Sequence, residues 1–437
     1  MKKILGYKVP TDYLIILCIS LLFAAVAFVL DTPERIVRGL ITINTSRSVL
    51  ITDYIALAGI GAALVNSSIL TFFNLFLLVI TRRVPTGRIM ALLFLTIGFS
   101  LFGKNALNTL PIMAGVWLHW RLTKKDGTDM MIAAMVGSTV APIVSEIAFL
   151  DENTSLLKIL AACGAGIFIG FIFPTITQNV KRMHNNYCLY NGGIAGGFIA
   201  TMFAGFFRSI GITVVSENFW DTNHTPHLVT LACVIATGLI IYGMVANRSV
   251  NKFRHKRFKE LISEKDPDDN DYLVKYRHVC YINIGIMCLV STGVMLLMGI
   301  PVNGPVLGGI LTVAGFAAVG KHIKNTAPIL IGSIAATQFN YMETTDPVNI
   351  LAILFSTGLA PVAGKYGWGW GIVTGFLHVL IAVFIGDING GLNLYNNGFA
   401  AIFVVVIITP VIGFFNGLIG RMRMKIKAKK EKLKSKN

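Results

Sequence analysis

The chain has 437 residues, 54% of them hydrophobic and only 14% charged, with a mean hydropathy of +0.69. A soluble domain carries about 25% charged residues, so this composition excludes a soluble globular protein and implies a polytopic membrane protein whose first partner is a lipid bilayer. The net charge of +17 lies at segment ends, in residues 248–277 and in a tail from Arg421 to Lys436. That is the positive-inside pattern rather than a nucleic-acid footprint, and no nucleic-acid partner is expected.

In chain order, apolar runs long enough to span a bilayer occupy 12–30, 53–81, 128–150, 155–178, 188–212, 226–246, 278–299, 346–364, 368–386 and 397–419. No small-residue cleavage site closes the first run, which reads as a retained helix rather than a signal peptide. The run at 53–81 is overlong, and Asn66-Ser67-Ser68 suits a tilt or break there. Residues 88–120 and 305–337 do not fit full crossings. Each has a Gly-Lys pair at its centre, and arms of about 15 residues rise roughly 22 Å as helix, short of the ~30 Å hydrocarbon core. Each is expected to be a re-entrant hairpin, entering and leaving on one side. The six cysteines lack metal-ligand spacing and read as packing residues, so no metal or other cofactor is expected.

The two hairpins are copies. Gly98–Gly115 and Gly315–Gly332, at an offset of 217, agree at nine of 18 positions, including Gly103/Gly320, Lys104/Lys321, Asn108/Asn325, Thr109/Thr326 and Pro111/Pro328. Chance would give roughly one, so this is an internal duplication. It continues downstream: Leu189-Tyr-Asn-Gly-Gly193 matches Leu394-Tyr-Asn-Asn-Gly398.

Loop charge orients the copies. Arg82, Arg83, Arg88, Arg121, Lys124 and Lys125 flank the first hairpin, whereas Gly299–Gly304 and Gln338–Asp346 flank the second without Lys or Arg. Lys181-Arg182 likewise faces Asp387-Ile-Asn-Gly-Gly in the other copy. Equivalent loops therefore lie on opposite sides. The expected fold is all-α, with about ten transmembrane helices plus two re-entrant hairpins in two inverted-topology repeats. The halves are 1–247, in which helix 226–246 pairs with the second half, and 278–420. A basic then acidic cytoplasmic linker, 248–277, joins them, and 421–437 is a basic cytoplasmic tail. The linker reads either as a solvated connector or as a headgroup or regulatory contact.

Gly98-x4-Gly103-Lys104-Asn105 nearly spells a phosphate-binding loop, but it lacks the terminal Ser or Thr and the preceding strand. A substrate site at the hairpin tips fits better. Lys104, Asn105, Asn108 and Thr109, with Lys321, His322, Asn325 and Thr326, open the returning arms, where free N–H groups and the helix dipole favour an anion. The competing view has the lysines reaching an interface while the other residues shape the turn. Glu146 and His378 are candidate H+ or Na+ coupling groups; a solvated outer carboxylate and a packing histidine are the alternatives. Tyr190, Asn191, Tyr395 and Asn396 are candidates for lining the pathway, or for N-capping at the membrane surface.

Leu107-Asn108-Thr109 and Lys324-Asn325-Thr326, each followed by a proline, resemble the Ser-Asn-Thr hairpin tips of the divalent-anion:sodium symporters, which implies tips that hold substrate carboxylates and sodium. The leading Ser is missing from both copies. Five helices plus a re-entrant element per inverted half look like the urea channels, and the Leu-Tyr-Asn-Gly stretch is faintly similar to theirs, without their proline-threonine signature. Over its full length the chain resembles a bacterial family of duplicated membrane proteins of unknown function, which implies the bacterial plasma membrane. The expected function is transport of a small polar, anionic solute, not enzymatic catalysis. The alternatives are a channel for a neutral solute such as urea, and a membrane-embedded enzyme acting on a lipid-linked substrate. The sequence leaves a homo-oligomer open.

Overall fold

The computed structural model describes all residues except 1–8, 125–126, 151–153, 215–218, 247–250, 266–269, 340–344 and 435–437. Lys125, Asp266–Asp269 of the linker, 340–344 of the second hairpin's exit loop and the last residues of the tail therefore lie outside the described residues, as do the side chains of 127–128, 251–255 and 428–434.

Two runs of helices follow the same order. The first comprises α1 (Thr11–Leu30), α2 (Pro33–Thr45), α3 (Tyr54–Ala58), α4 (Ile60–Ile80), α5 (Gly87–Phe99), α6 (Ala106–Thr123), α7 (Gly127–Gly137), α8 (Pro142–Ala148), α9 (Leu156–Met183) and α10 (Asn191–Ser209). The second comprises α11 (Thr225–Val245), α12 (Asn251–Leu261), α13 (Tyr272–Tyr276), α14 (His278–Leu297), α15 (Gly304–Gly315), α16 (Ile323–Ala336), α17 (Pro347–Ser356), α18 (Ala360–Tyr366), α19 (Trp368–Asn389) and α20 (Asn396–Lys434). Each helix of the second run repeats the one ten places before it. Among the described residues eight elements are long and apolar enough to cross a membrane, and the α7–α8 pair, bent by 49°, makes a ninth. The remaining expected run, 188–212, forms the 19-residue α10.

The copies are inverted. Arms α5 and α15 pack against each other in opposite directions: Gly98 abuts Gly308, while Gly315 abuts Phe94 and Ala91. Neither arm is long enough to cross, since 13 and 12 residues rise about 20 Å. Each arm starts under an aspartate from the other copy. Asp271, the N-cap of α13, accepts the Gly87 N–H with both oxygens (2.9 and 3.1 Å) as well as the Val274 N–H. Asp53, the N-cap of α3, takes the N–H groups of Ile55, Asp221 and Gly304. Removing either carboxylate strands buried N–H groups, so Asp271→Ala and Asp53→Ala are each expected to lower stability by about 1–3 kcal/mol. Thermal unfolding of the purified variants in detergent checks this, and an unchanged midpoint in both would contradict it.

Two sequence expectations change. The overlong run 53–81 breaks at Gly59 (φ +90°) between α3 and α4, whereas Asn66–Ser68 lie inside a continuous α4. Asn66 and Ser67 hold the neighbouring hairpin: the Asn66 carboxamide donates to the carbonyls of Ser100 (2.7 Å) and Lys104 (2.8 Å), and the Ser67 hydroxyl to that of Ile97 (2.7 Å), while Ser68 donates to the Ser20 carbonyl of α1. The 248–277 stretch is more than a connector. Its helices α12 and α13 repeat α2 and α3, and its distal part seats under the second tip, where His322 Nε2 lies 3.1 Å from the Glu264 carbonyl and the Tyr272 ring stacks on the His322 ring.

Candidate functional site

The hairpin tips are built alike. Gly103 (φ +84°) and Gly320 (φ +106°) supply the left-handed backbone of the turn. The carboxamides one turn later close it. Asn108 Oδ1 accepts from Asn105 N–H and its Nδ2 donates to the Gly103 carbonyl (both 2.9 Å); Asn325 makes the same bonds to His322 N–H (2.9 Å) and the Gly320 carbonyl (2.8 Å). Asn283 on α14 grips the second tip as Asn66 grips the first, donating to the carbonyls of Ala317 and Lys321. The amide of Asn105 donates to the Ile43 carbonyl, and the Thr326 hydroxyl donates to the His322 carbonyl. Thr109 Oγ1 donates to Asn108 Oδ1. The polar side chains expected to bind substrate thus hold the turns together.

The two lysines differ. Lys104 and Lys321 are 1% and 0% exposed, and among the described residues neither has an ion-pair partner within 4 Å. Lys321 Nζ donates to the Tyr190 hydroxyl and to Thr357 Oγ1 (2.8 Å), lying over the rings of Tyr190 (4.6 Å) and Phe316 (5.3 Å). The counterparts of those two oxygens in the other copy are on Tyr395 and Ser138, yet Lys104 Nζ turns to the Met135 carbonyl (3.4 Å) and sits 5.5 Å from the Phe99 ring.

Between the lysines lies a ring cluster. Tyr190 and Tyr395 meet at 4.6 Å, Tyr190 and Phe316 at 4.9 Å, Phe99 and Tyr395 at 5.4 Å, and Phe355 and Tyr395 at 5.7 Å. The tips therefore do not form the single polar pocket that the duplicated motif suggests; aromatic rings fill the space between their ammonium groups.

A cavity of about 580 Å³ runs from the basic face to this cluster. Arg88, Asp129 and Lys181 stand at its mouth, and Tyr190, Phe316 and Tyr395 form its blind end. Neither Lys104 nor Lys321 lines it. Partway along is His119. Its Nδ1 lies 2.8 Å from the Phe171 carbonyl and so carries the hydrogen, whereas its buried Nε2 has no hydrogen-bond partner among the described residues. A buried orphan of this kind beside a cavity calls for a functional explanation. In the other copy the position equivalent to the cavity residue Val136, at an offset of 219, is the buried Phe355, whose ring lies 5.7 Å from that of Tyr395.

The other expected residues are placed as follows. Glu146 is fully buried and takes a bidentate ion pair from Arg47 (3.0 and 2.8 Å), so it is not a solvated outer carboxylate. His378 is buried against Asn397 Oδ1 (3.1 Å), away from the cavity lining. Asn191 lines the cavity, with its carboxamide between His184 and the Thr177 carbonyl. Asn396 accepts from Asn389. Arg88, His119, Lys181 and His184 were not singled out by the sequence reading; the two cations entered it only as markers of loop charge.

Among the described residues no group of three or more His, Cys, Asp or Glu is arranged to hold a metal ion. No curated protein and no solved structure matches the chain. The family described as "Protein of unknown function (DUF1576)" matches twice, over residues 32–209 and 250–414, starting just before α2 and just before α12. Those starts agree with the structural repeat and draw the 248–277 stretch into the second copy. The chain is a duplicated, all-helical membrane protein of the DUF1576 family.

Proposed function

We propose that this protein is a secondary transporter that carries a small anionic solute through the centre of the inverted repeat, exposing it to each face in turn. The observation that carries the reading is the cavity: it opens at two cations and one carboxylate, Arg88, Lys181 and Asp129, and stops at Tyr190 and Tyr395, the pseudo-equivalent pair at the heart of the fold. Inverted repeats with half-length helices meeting at depth are the usual frame for alternating access. Buried, unpaired lysines inside a membrane protein are costly and so favour a functional role. By the positive-inside rule the open face, with Arg82, Arg83, Lys181 and Arg182, is cytoplasmic.

The asymmetry of the two lysines supplies the cycle. Lys321 grips Tyr190 and Thr357, and the equivalent contacts of Lys104 are unmade. In the opposite state Lys104 takes Tyr395 and Ser138, Lys321 releases Tyr190, and the space now held by Phe355 opens. A solute seated against the rings bears on Tyr190 and Tyr395, the side chains between which the two lysines exchange their grip.

Counterflow of labelled organic and inorganic anions in proteoliposomes tests the reading. It expects saturable exchange, competed by unlabelled solute, for at least one anion. Flux linear in concentration for every anion tried, equal to that of empty vesicles, would overturn it.

A further inference from the structure

The lining of the cavity changes character with depth, and the change restricts what can fill it. At the mouth, where Asp129 also stands, Arg88 and Lys181 are exposed and, among the described residues, form no ion pair within 4 Å. Deeper, buried Val116, Ala133, Val136 and Val319 share the wall with the uncharged polar side chain of Asn191 and with His119, and no further Lys or Arg lines it. The blind end is made of the rings of Tyr190, Phe316 and Tyr395.

We propose that this cavity binds an amphipathic organic anion, with its apolar body at the blind end and its one anionic group between Arg88 and Lys181. The inference rests on the transport reading above and names the class of solute. A dianion such as succinate would have to lodge its second carboxylate beyond Arg88 and Lys181, where no other Lys or Arg lines the wall and an unpaired charge is strongly disfavoured. Urea would leave both rim cations unused, and about 580 Å³ is the scale of a pocket for a much larger ligand. An apolar body with a single carboxylate satisfies both ends: ring or chain against rings, and carboxylate in the fork of an arginine. An aryl acid and an alkyl acid share this chemistry, and the probes below separate them.

Trp120 lines the cavity and offers a readout. The full-length protein in nanodiscs is titrated with phenylacetate, decanoate, succinate and urea while tryptophan emission is followed, with Trp120→Phe as the control for the origin of the signal. Phenylacetate or decanoate is expected to saturate at a concentration at least tenfold below succinate, and the tighter of the two identifies the body as ring or chain. Val136→Phe, which copies the residue the other repeat carries at the equivalent position, should weaken the preferred acid at least tenfold. Ala133→Leu serves if that variant does not fold. The double variant Arg88→Gln, Lys181→Gln should also weaken it about tenfold.

Succinate binding tighter than both monoacids, or a preferred acid indifferent to filling at 133 and 136, would overturn the amphiphile and leave the transport reading standing. If no acid binds and counterflow is also absent, both fall.

Discussion

Replacing Lys321 with Met is expected to abolish saturable anion uptake while making the protein more stable. The ammonium is fully buried, with a tyrosine hydroxyl, a threonine hydroxyl and two ring faces as its surroundings. Holding a charge at such depth costs about 3 kcal/mol or more, and Met fills much of the same volume without charge. Thr357 Oγ1 keeps its bond to the Leu354 carbonyl (2.7 Å), so the substitution leaves little unsatisfied. Unfolding should therefore require about 1–3 kcal/mol more, the pattern seen when function maintains a destabilising group. Uptake should fall by at least a factor of a hundred, because the grip on Tyr190 and Thr357 that distinguishes one state from the other is then lost. Lys104→Met should lose uptake as well, since the cycle needs both lysines in turn. Proteoliposome uptake paired with thermal unfolding measures both effects. A stabilised Lys321→Met variant that transports like the parent would make the lysine a structural residue.

Gly98→Val should prevent folding. A Cβ at Gly98 would lie 2.6 Å from the Gly308 carbonyl oxygen and 2.8 Å from its Cα. Both are backbone atoms of the arm packed against it, so neither has a rotamer to retreat to. From the other side, a Cβ at Gly308 would meet the Gly98 oxygen at 2.8 Å and the edge of Phe102 at 2.6 Å. The two arms lie this close because neither carries a side chain at the crossing, as is common where helices pack in membranes. Overpacking a core typically costs about 1–3 kcal/mol. Here the inserted volume separates the elements that position both tips, and loss of monodisperse protein is the expected readout. Gly98→Ala should retain folding with a lowered midpoint. Gly164→Ala, where nothing lies within 4 Å, should stay within about 0.5 kcal/mol of the parent. Normal behaviour of Gly98→Val would mean that the arms do not cross at this point.

The all-helical class, the duplication and the inversion were legible because each leaves a linear trace. Apolar run length reports spanning, the offset of 217 reports copying, and Lys/Arg placement reports side. The hairpin turns were legible for the same reason, since Gly103 and Gly320 must supply an unusual φ. What Asn108 and Asn325 do was not. A carboxamide near a helix start suits a ligand and a capping bond equally well, and only the distances to Gly103 and Gly320 separate the two. Asp53 and Asp271 were equally silent, because the groups they cap, Gly304 and Gly87, are remote in sequence. The cavity escaped notice because its mouth residues come from α5, α7 and α9, each ordinary in its own segment. One signal was available: aligning the repeats sets Val136 against Phe355, a difference in volume at otherwise equivalent places.

The central claim is that the two copies alternate, with the cavity of the first open now and its mirror image closed. Cysteine accessibility tests this directly in a background without native cysteines, since Cys188 itself lines the cavity. Ala133→Cys, on the cavity wall, and Ala352→Cys, its fully buried equivalent, are exposed in sealed vesicles to a membrane-impermeant thiol reagent from each side. At rest, position 133 should react only from the face that bears Arg88 and Lys181, and position 352 from neither. During turnover with a transported anion, position 352 should become reactive from the opposite face as labelling at 133 declines. Steady labelling at 133 with position 352 unreactive throughout turnover would mean that the second cavity never forms.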